Sequence, residues 1–525
     1  MKSMNRRDFI VGAAIAGSSV LFGDSQLFAM NPTLSAARSG PTRFTRLDVN
    51  AQDFPSGILQ DYRNAITTML RLPPQDPRNW YRQALVHLLD CPHANWWFLP
   101  WHRVYLGWFE KVCRQLSGNS AFALPYWNWT QVQRVPGAFF SGELNPTSEI
   151  FKESMHVFRD KLDETLEGIW SGLSDRQRVI LRLRGYTELE ILAQEVRLYF
   201  MQDNNSRVLS QDNPEFLDED KQSTSVESIR RVLASRKFVG FGGKLAQQHS
   251  ELSGSDLFES VPHNSVHSAV GGTMLSMLSP IDPLFYLHHA NIDRLWQVWI
   301  EMQKSEGLPG YPEPGEFEAW GAEYFEFFSD ERAAPVRDLP LLHYLQADSF
   351  GYSYAPLIVG ETRPLPLVSV RSGTLYNCRL SAAKIAAGQI IDAQVDVPVA
   401  VLRDALGRDG ATLLVDVRLE YPVPASAWEL ELLLKPSSAH PGLPVSVGRL
   451  KILDMLMQHA DDQHGHHHAS SFALCINAAL SSLYSTGRLD PNAVLELALS
   501  ARLSGKKPPN RNALQIDGIQ IRVVG

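Results

Sequence analysis

Six histidines set in apolar, helix-periodic segments restrict this chain more than any other feature. His263 and His267 stand four apart. On a helix that spacing puts two imidazoles on one face, where they converge on one ion. The following segment offers His288 and His289, and helical phase separates them. Phe285, His289, Ile292, Trp296 and Trp299 step by four, three, four and three and form one apolar stripe. His289 therefore faces the core, while His288 is turned about 100° away and reads as a supporting or structural histidine.

The same phase test applies earlier in the chain. His102, Tyr105, Phe109, Val112 and Leu116 form one stripe, so His102 points inward. His93 lies nine residues before it in a loop, and His87 sits near the end of the preceding helix. Three neutral imidazoles leave open positions on a metal, and imidazole alone suits copper, zinc, iron or nickel. A di-iron bundle would carry Glu-x-x-His pairs, which are missing, and a single set of three would suit a catalytic zinc. Two sets on adjoining helix pairs favour a dinuclear centre.

At 525 residues the chain is too long for one hydrophobic core, so two folded domains are expected. Helical periodicity dominates from Asp61 to Trp299, with helices over Asn79–Leu89, Pro100–Leu116, His263–Gly271 and Asp282–Met302. These predict a mainly α domain, a four-helix bundle holding the site, over residues 30–355. After Pro356 the composition turns strand-like, as in Pro366–Val370, Thr412–Val417, Trp428–Leu432 and Ile519–Val523, so residues 356–525 read as a β-rich domain. A charged insert, Ser148–Ser225, has helical patterning up to Met201 and reads as a mobile loop from Asp203. It suits a lid, an oligomer contact or neither. Cys378 and Cys475 are either a late disulfide or two buried thiols. His464, His466, His467 and His468 read as an exposed loop that is either functionless or copper-capturing.

Arg6-Arg7-Asp8-Phe9-Ile10 precedes an apolar run, Val11–Phe22, too short to cross a bilayer. This resembles a twin-arginine export signal over residues 1–29, predicting an exported protein without a stable membrane anchor. The net charge of −8 with no long basic run argues against nucleic acid as a partner.

Taken with their neighbours, the histidines resemble the tyrosinase, catechol oxidase and haemocyanin family. His93-x8-His102 within Phe98-Leu-Pro-Trp-His102-Arg-x-Tyr-Leu-x-x-Phe109-Glu110 is similar to the family's first copper signature. His263-Asn-Ser-Val-His267, then Asp282-Pro-x-Phe-x-x-His-His289-x-x-x-Asp293-Arg294, is similar to the second. Tyr352-Ser-Tyr354 looks like the motif that closes the family's catalytic domain. The resemblance implies two copper ions, one on His87, His93 and His102 and one on His263, His267 and His289. It implies O2 and a small phenol as partners, with monophenols hydroxylated and o-diphenols oxidised to o-quinones. The alternatives are a catechol or o-aminophenol oxidase without the hydroxylation, and a haemocyanin-like O2 carrier. Cys91-Pro-His93 matches a form in which some members carry a thioether between Cys91 and His93. Glu259 and Asn264 match positions that hold a water suited to deprotonating the phenol. Asp282 and Asp293 are expected to orient imidazoles, to pair with Arg294 or to cap helices. The β-rich domain resembles one that covers the copper site in latent members.

Overall fold

A computed structural model describes residues 44–201, 206–251, 257–345, 347–357, 374–407, 411–419, 428–452, 470–490, 492, 494–503 and 513–524. The expected export signal, Pro366–Val370 and the His464–His468 cluster lie outside the described residues.

Five helices frame the site: α1 (Ser56–Arg71), α2 (Trp80–Asp90), α3 (Phe98–Ser117), α4 (Asn264–Val270) and α5 (Leu284–Ser305). Helix α2 starts where Asn79 accepts the Tyr81 N–H at 3.0 Å, satisfying an otherwise unpaired donor. Helix α3 begins two residues earlier than periodicity predicted. It holds Pro100 in its first turn, where a missing N–H costs nothing, and stops at Gly118 with φ of 79°. In α5, Asp282 accepts the Leu284 N–H at 2.9 Å, the capping role expected of it. Helices α1 and α5 both pack on α3, and the Phe109 and Tyr286 rings stack at 3.5 Å.

One predicted helix differs in kind. Glu259–His263 is a π turn, and regular α-helix starts only at Asn264. Pro262 lies inside that turn; its missing N–H and its ring bulk both oppose a tight α turn. His263 and His267 therefore straddle a π–α junction, yet their ring centroids are 4.5 Å apart.

Up to Met201 the insert folds as four helices, Glu149–Asp160, Leu162–Ser171, Asp175–Leu183 and Leu189–Met201. Its polar end is not a bare loop. Asp218–Ser223 is helical, and Gln133 donates to the Lys221 carbonyl and to Thr224 Oγ1, holding Thr224 fully buried.

Strands β1 (Phe44–Leu47) and β2 (Tyr352–Ala355) pair in parallel, Phe44 opposite Tyr352. Beneath them Arg46 meets Glu110 at 2.8 Å and the Tyr354 hydroxyl at 2.7 Å.

Beyond residue 373 the described residues form two five-stranded sheets. One orders Ser470–Cys475, Thr412–Leu419, Ala513–Val524 and Leu375–Asn377, with Lys384–Ala386 also on Ala513–Val524. The other orders Arg379–Leu380, Ile390–Val395, Leu495–Leu503, Trp428–Leu434 and Val445–Ile452. Along Ile390–Val395, Ile391, Ala393 and Val395 are buried between exposed neighbours, the alternation of a half-covered strand. The sheets enclose an apolar core separate from that of the helices, although Leu414 and Ala473 join the helical core. Strand Ser470–Cys475 lies against the Glu259–His263 turn. None of the four cysteines, Cys378 and Cys475 included, is paired in a disulfide. No helix among the described residues is long and apolar enough to cross a membrane.

Candidate metal centre

The six predicted histidines come together. His87 leaves the end of α2, His93 the loop after it and His102 the second turn of α3. With Cys91, their ligand atoms all lie within 4.8 Å of one another. His263, His267, His288 and His289 form a second set within the same limit. The sets adjoin: the His102 and His289 rings stack at 4.1 Å and 11°, and His93 and His263 approach to 6.1 Å between centroids.

Backbone carbonyls fix the tautomers. His87 Nδ1 lies 2.7 Å from the Met277 carbonyl, His102 Nδ1 2.8 Å from that of Phe98, and His267 Nδ1 2.6 Å from that of Met274. His263 Nδ1 is 2.9 Å from Asn264 Oδ1. A carbonyl oxygen only accepts, so each Nδ1 carries the proton and each Nε2 keeps its lone pair. Such a bond on the far ring nitrogen is the usual support of a metal-binding imidazole. His288 is wired in reverse. Trp129 donates its indole N–H to His288 Nδ1 at 3.1 Å, which puts the proton on Nε2 and leaves that atom no lone pair for an ion. Helical phase turned His288 away from the site. The structure keeps it in the cluster, stacked on His263 at 5.3 Å, but in a supporting tautomer.

These groups fit a metal. His87 Nε2 and His263 Nε2 are buried without a hydrogen-bond partner, a costly state for lone pairs that no ion uses. His267 Nε2 and His289 Nε2 are 3.3 Å apart, the span of two nitrogens each about 2.0 Å from one metal at a near-tetrahedral angle. Burial holds every ring in its neutral, ligating form. It pushes His102 down to about 3 and His267 down to about 4, the Met274 carbonyl and the Asp282 carboxylate drawing the latter part of the way back. His87 and His263 are pushed well down by burial and by neighbouring imidazoles. An imidazole-only donor set is one that copper accepts.

The His93 loop is held from three sides. Arg184 donates to the Cys91 carbonyl at 2.8 Å. Asn95 donates to the His249 and Glu251 carbonyls. Both oxygens of Glu259 lie 2.9 Å from the Ala94 N–H, where Ala94 takes a φ of 52°. Cys91 Sγ lies 3.5 Å from His93 Nδ1 and 3.9 Å from Nε2, against the edge that holds the carbon between them. Phe98 and Phe285 pack among the imidazoles, with Phe98 4.7 Å from His263 and Phe285 4.1 Å from His289.

Asp293 pairs with Arg103 at 2.6 Å and accepts both the Tyr352 and Tyr354 hydroxyls, while Arg294 donates to Asn291. Of the roles open to Asp293, pairing with Arg294 thus gives way to a pairing with Arg103 that ties α5 to α3. Sequence reasoning missed the supporting atoms. Met274 and Met277 act through carbonyls, which no residue identity marks, and Trp129 and Arg184 lie far from the histidines in sequence.

Residues 71–302 match the family model described as the common central domain of tyrosinase. A chloroplastic polyphenol oxidase of Spinacia oleracea is 27% identical over 348 residues, covering 59% of this chain and 46% of that protein. A tyrosinase of Hahella sp. is 25% identical over 345 residues, covering 58% and 62%. The matched stretch thus spans between about half and three fifths of the length of these relatives. Among solved structures, latent apple tyrosinase superposes with a TM-score of 0.54 at 19% identity, over 93% of this chain and 98% of that one. A functional unit of octopus hemocyanin gives 0.52 at 17% identity, over 92% and 99%. At such identities the structural likeness speaks for the fold.

Proposed function

We propose that this chain, whose residues 71–302 are a tyrosinase-type central domain, is a copper-dependent oxidase that uses O2 to convert phenols to o-quinones. The observation that supports this most is the stacking of His102 on His289, because oxidation by O2 at a metal pair needs both imidazole sets to open into one space. In this reading His87, His93 and His102 hold one copper ion, and His263, His267 and His289 hold the other. Bound there, the two ions supply electrons to O2 and oxidising power toward the ring.

The chain's own residues do the rest. The Met277, Phe98 and Met274 carbonyls and Asn264 aim the imidazoles, and His288, engaged by Trp129, buttresses the second set. Phe98 and Phe285 exclude water from between the rings. A phenol has a pKa of about 10, so its proton must be taken up as it binds. We assign that task to a water held by Glu259 and Asn264, which flank His263 in sequence. Cys91 and His93 form a thioether through the ring carbon between the two nitrogens, O2 taking the thiol hydrogen and the ring hydrogen as hydrogen peroxide. The paired arginines Arg6 and Arg7 send the protein out of the cytoplasm, with a small phenol and O2 as its partners.

A narrower reading, oxidation of o-diphenols alone, is favoured by one observation. The Glu259 oxygens already accept the Ala94 N–H and Asn264 Oδ1 already meets His263, so less of both remains for a water. One experiment separates the readings. The full chain is loaded with copper, its metal content measured, and tyrosine and then dopa supplied under air, while peptide mass spectrometry of the Cys91–His93 segment looks for the loss of two hydrogens. Two coppers per chain with quinone from both substrates is expected. Colour from dopa alone selects the narrower reading, O2 uptake that reverses without quinone selects a carrier, and one copper or none defeats the proposal. An unchanged peptide mass removes the thioether.

A further inference from the structure

The connection between α4 and α5, residues 271–283, serves both imidazole sets. Its Met277 carbonyl lies 2.7 Å from His87 Nδ1 in the first set, and its Met274 carbonyl 2.6 Å from His267 Nδ1 in the second. A shift of this connection would turn one ring in each set.

Something must hold it, because its own regular structure is limited to two short 3-10 turns, Gly272–Leu275 and Ser279–Ile281. The far end of the insert does so at both ends. At the near end the Val208 N–H donates to the Val270 carbonyl at 2.8 Å. Gly271 and Gly272 have φ of 72° and 60°, and a Cβ on either would stand 2.4 Å from Val208 Cγ2 or 2.6 Å from the Ser206 carbonyl. This close approach is possible only because both residues are glycines.

At the far end Arg207 grips Asp282 with two bonds, Nε to Oδ2 at 2.7 Å and Nη2 to Oδ1 at 2.5 Å. The same Oδ1 caps α5, which carries His289. The rest of the guanidinium is anchored on the Phe139 and Leu144 carbonyls, the latter at 3.0 Å. Both side chains are buried, 4% and 1% exposed, and the fork geometry is one that lysine cannot reproduce.

We infer that Arg207 is a positioning residue for both imidazole sets, pinning the 271–283 connection through Asp282 so that its carbonyls aim His87 and His267. This rests on the copper reading above and gives the insert a role that is neither lid nor subunit contact.

The test compares the full chain with Arg207→Met, Arg207→Lys and Arg63→Met. Arg63 is a matched control: it donates to the Ser141 and Ala138 carbonyls and to Glu143, anchoring the same 137–144 turns without reaching the connection. Copper affinity is measured by chelator competition on copper-free protein, with unfolding by urea and a separate reading of kcat and KM. Arg207→Met should weaken copper binding about ten- to hundredfold at both sites and lower kcat with KM little changed. Arg207→Lys, which keeps charge without the fork, should fall between it and the parent. Arg63→Met should lose stability yet hold copper as the parent does. If Arg207→Met fails to fold, Arg207→Lys against Arg63→Met carries the comparison. Copper affinity in the Arg207 variants within twofold of the parent overturns the inference, as does an equal loss in Arg63→Met. A parent chain that binds no copper overturns the copper reading instead.

Discussion

Replacing Asp293 by asparagine keeps the shape of the α3–α5 junction and removes its charge. Asp293 is 2% exposed, sits 2.6 Å from Arg103 and 3.6 Å from Arg46, and accepts the Tyr352 hydroxyl at 2.5 Å and the Tyr354 hydroxyl at 2.7 Å. Both arginines are themselves buried, so the amide would leave two guanidinium groups in the interior with only Glu110 opposing Arg46. Breaking a buried pair from one side costs about 3–5 kcal/mol, because the remaining charge is uncompensated. The exposed Arg379–Asp396 pair, 66% and 65% exposed at the side chains, is the internal reference and should yield about 0–1 kcal/mol when broken. Urea unfolding of copper-free protein, followed by tryptophan fluorescence, reads the difference, since Arg103 lies over the Trp296 ring at 3.9 Å. The pH dependence adds a second check. Burial alone would raise the Asp293 carboxyl, but Arg103, Arg46 and the two tyrosine hydroxyls hold it below its ordinary value. A depressed carboxylate contributes stability that is present above its unfolded pKa of about 4 and is lost as pH falls through the folded value. The gap between parent and Asp293→Asn should therefore be widest near neutrality and narrow in acid. A destabilisation under about 1 kcal/mol, or a gap that widens as pH falls, would refute this account of the junction.

His289→Ala should bind one copper fewer than the parent and His288→Ala should retain both; metal analysis showing the reverse would remove the tautomer argument built on Trp129. His249 lies 2.9 Å from Asp90 and 2.5 Å from Glu323, and although burial opposes its charge, the two carboxylates push it up to about 9. A raised histidine stabilises fully below its unfolded pKa of about 6.5 and loses that contribution as pH rises through the folded value, here up to about 3 kcal/mol. His249→Gln should therefore flatten the stability decline between pH ~6.5 and ~9, and equal declines in both proteins would count against a charged His249.

Much of the centre was legible because helical phase is a strict geometric code. His102 and His289 were fixed as inward by the stripes they share with Tyr105 and Phe285, and they are the two rings that stack. The code is silent where the backbone leaves the α-helix, so the π turn that ends at His263 was not foreseen, and it does not mark helix ends, so α3 starts at Phe98 and not at Pro100. It is silent on long-range pairing: Asp293 turns to Arg103, 190 positions away, and not to the Arg294 beside it. Strand composition located Thr412–Leu419, Trp428–Leu434 and Ala513–Val524, but alternation says nothing about sheet order, which depends on tertiary contacts. The polar stretch near Asp218 folded despite its composition because Gln133 lies in reach to satisfy its backbone.

The parallel seam between Phe44–Leu47 and Tyr352–Ala355 brings the entrance and exit of the helical region side by side. Roughly three hundred residues are thereby closed into a ring by four registered pairs and the buried Arg46 beneath them. A cut in the stretch that follows Leu357 would leave that ring intact. New termini opened at an exposed turn, with the old ones joined, would keep every histidine where it stands.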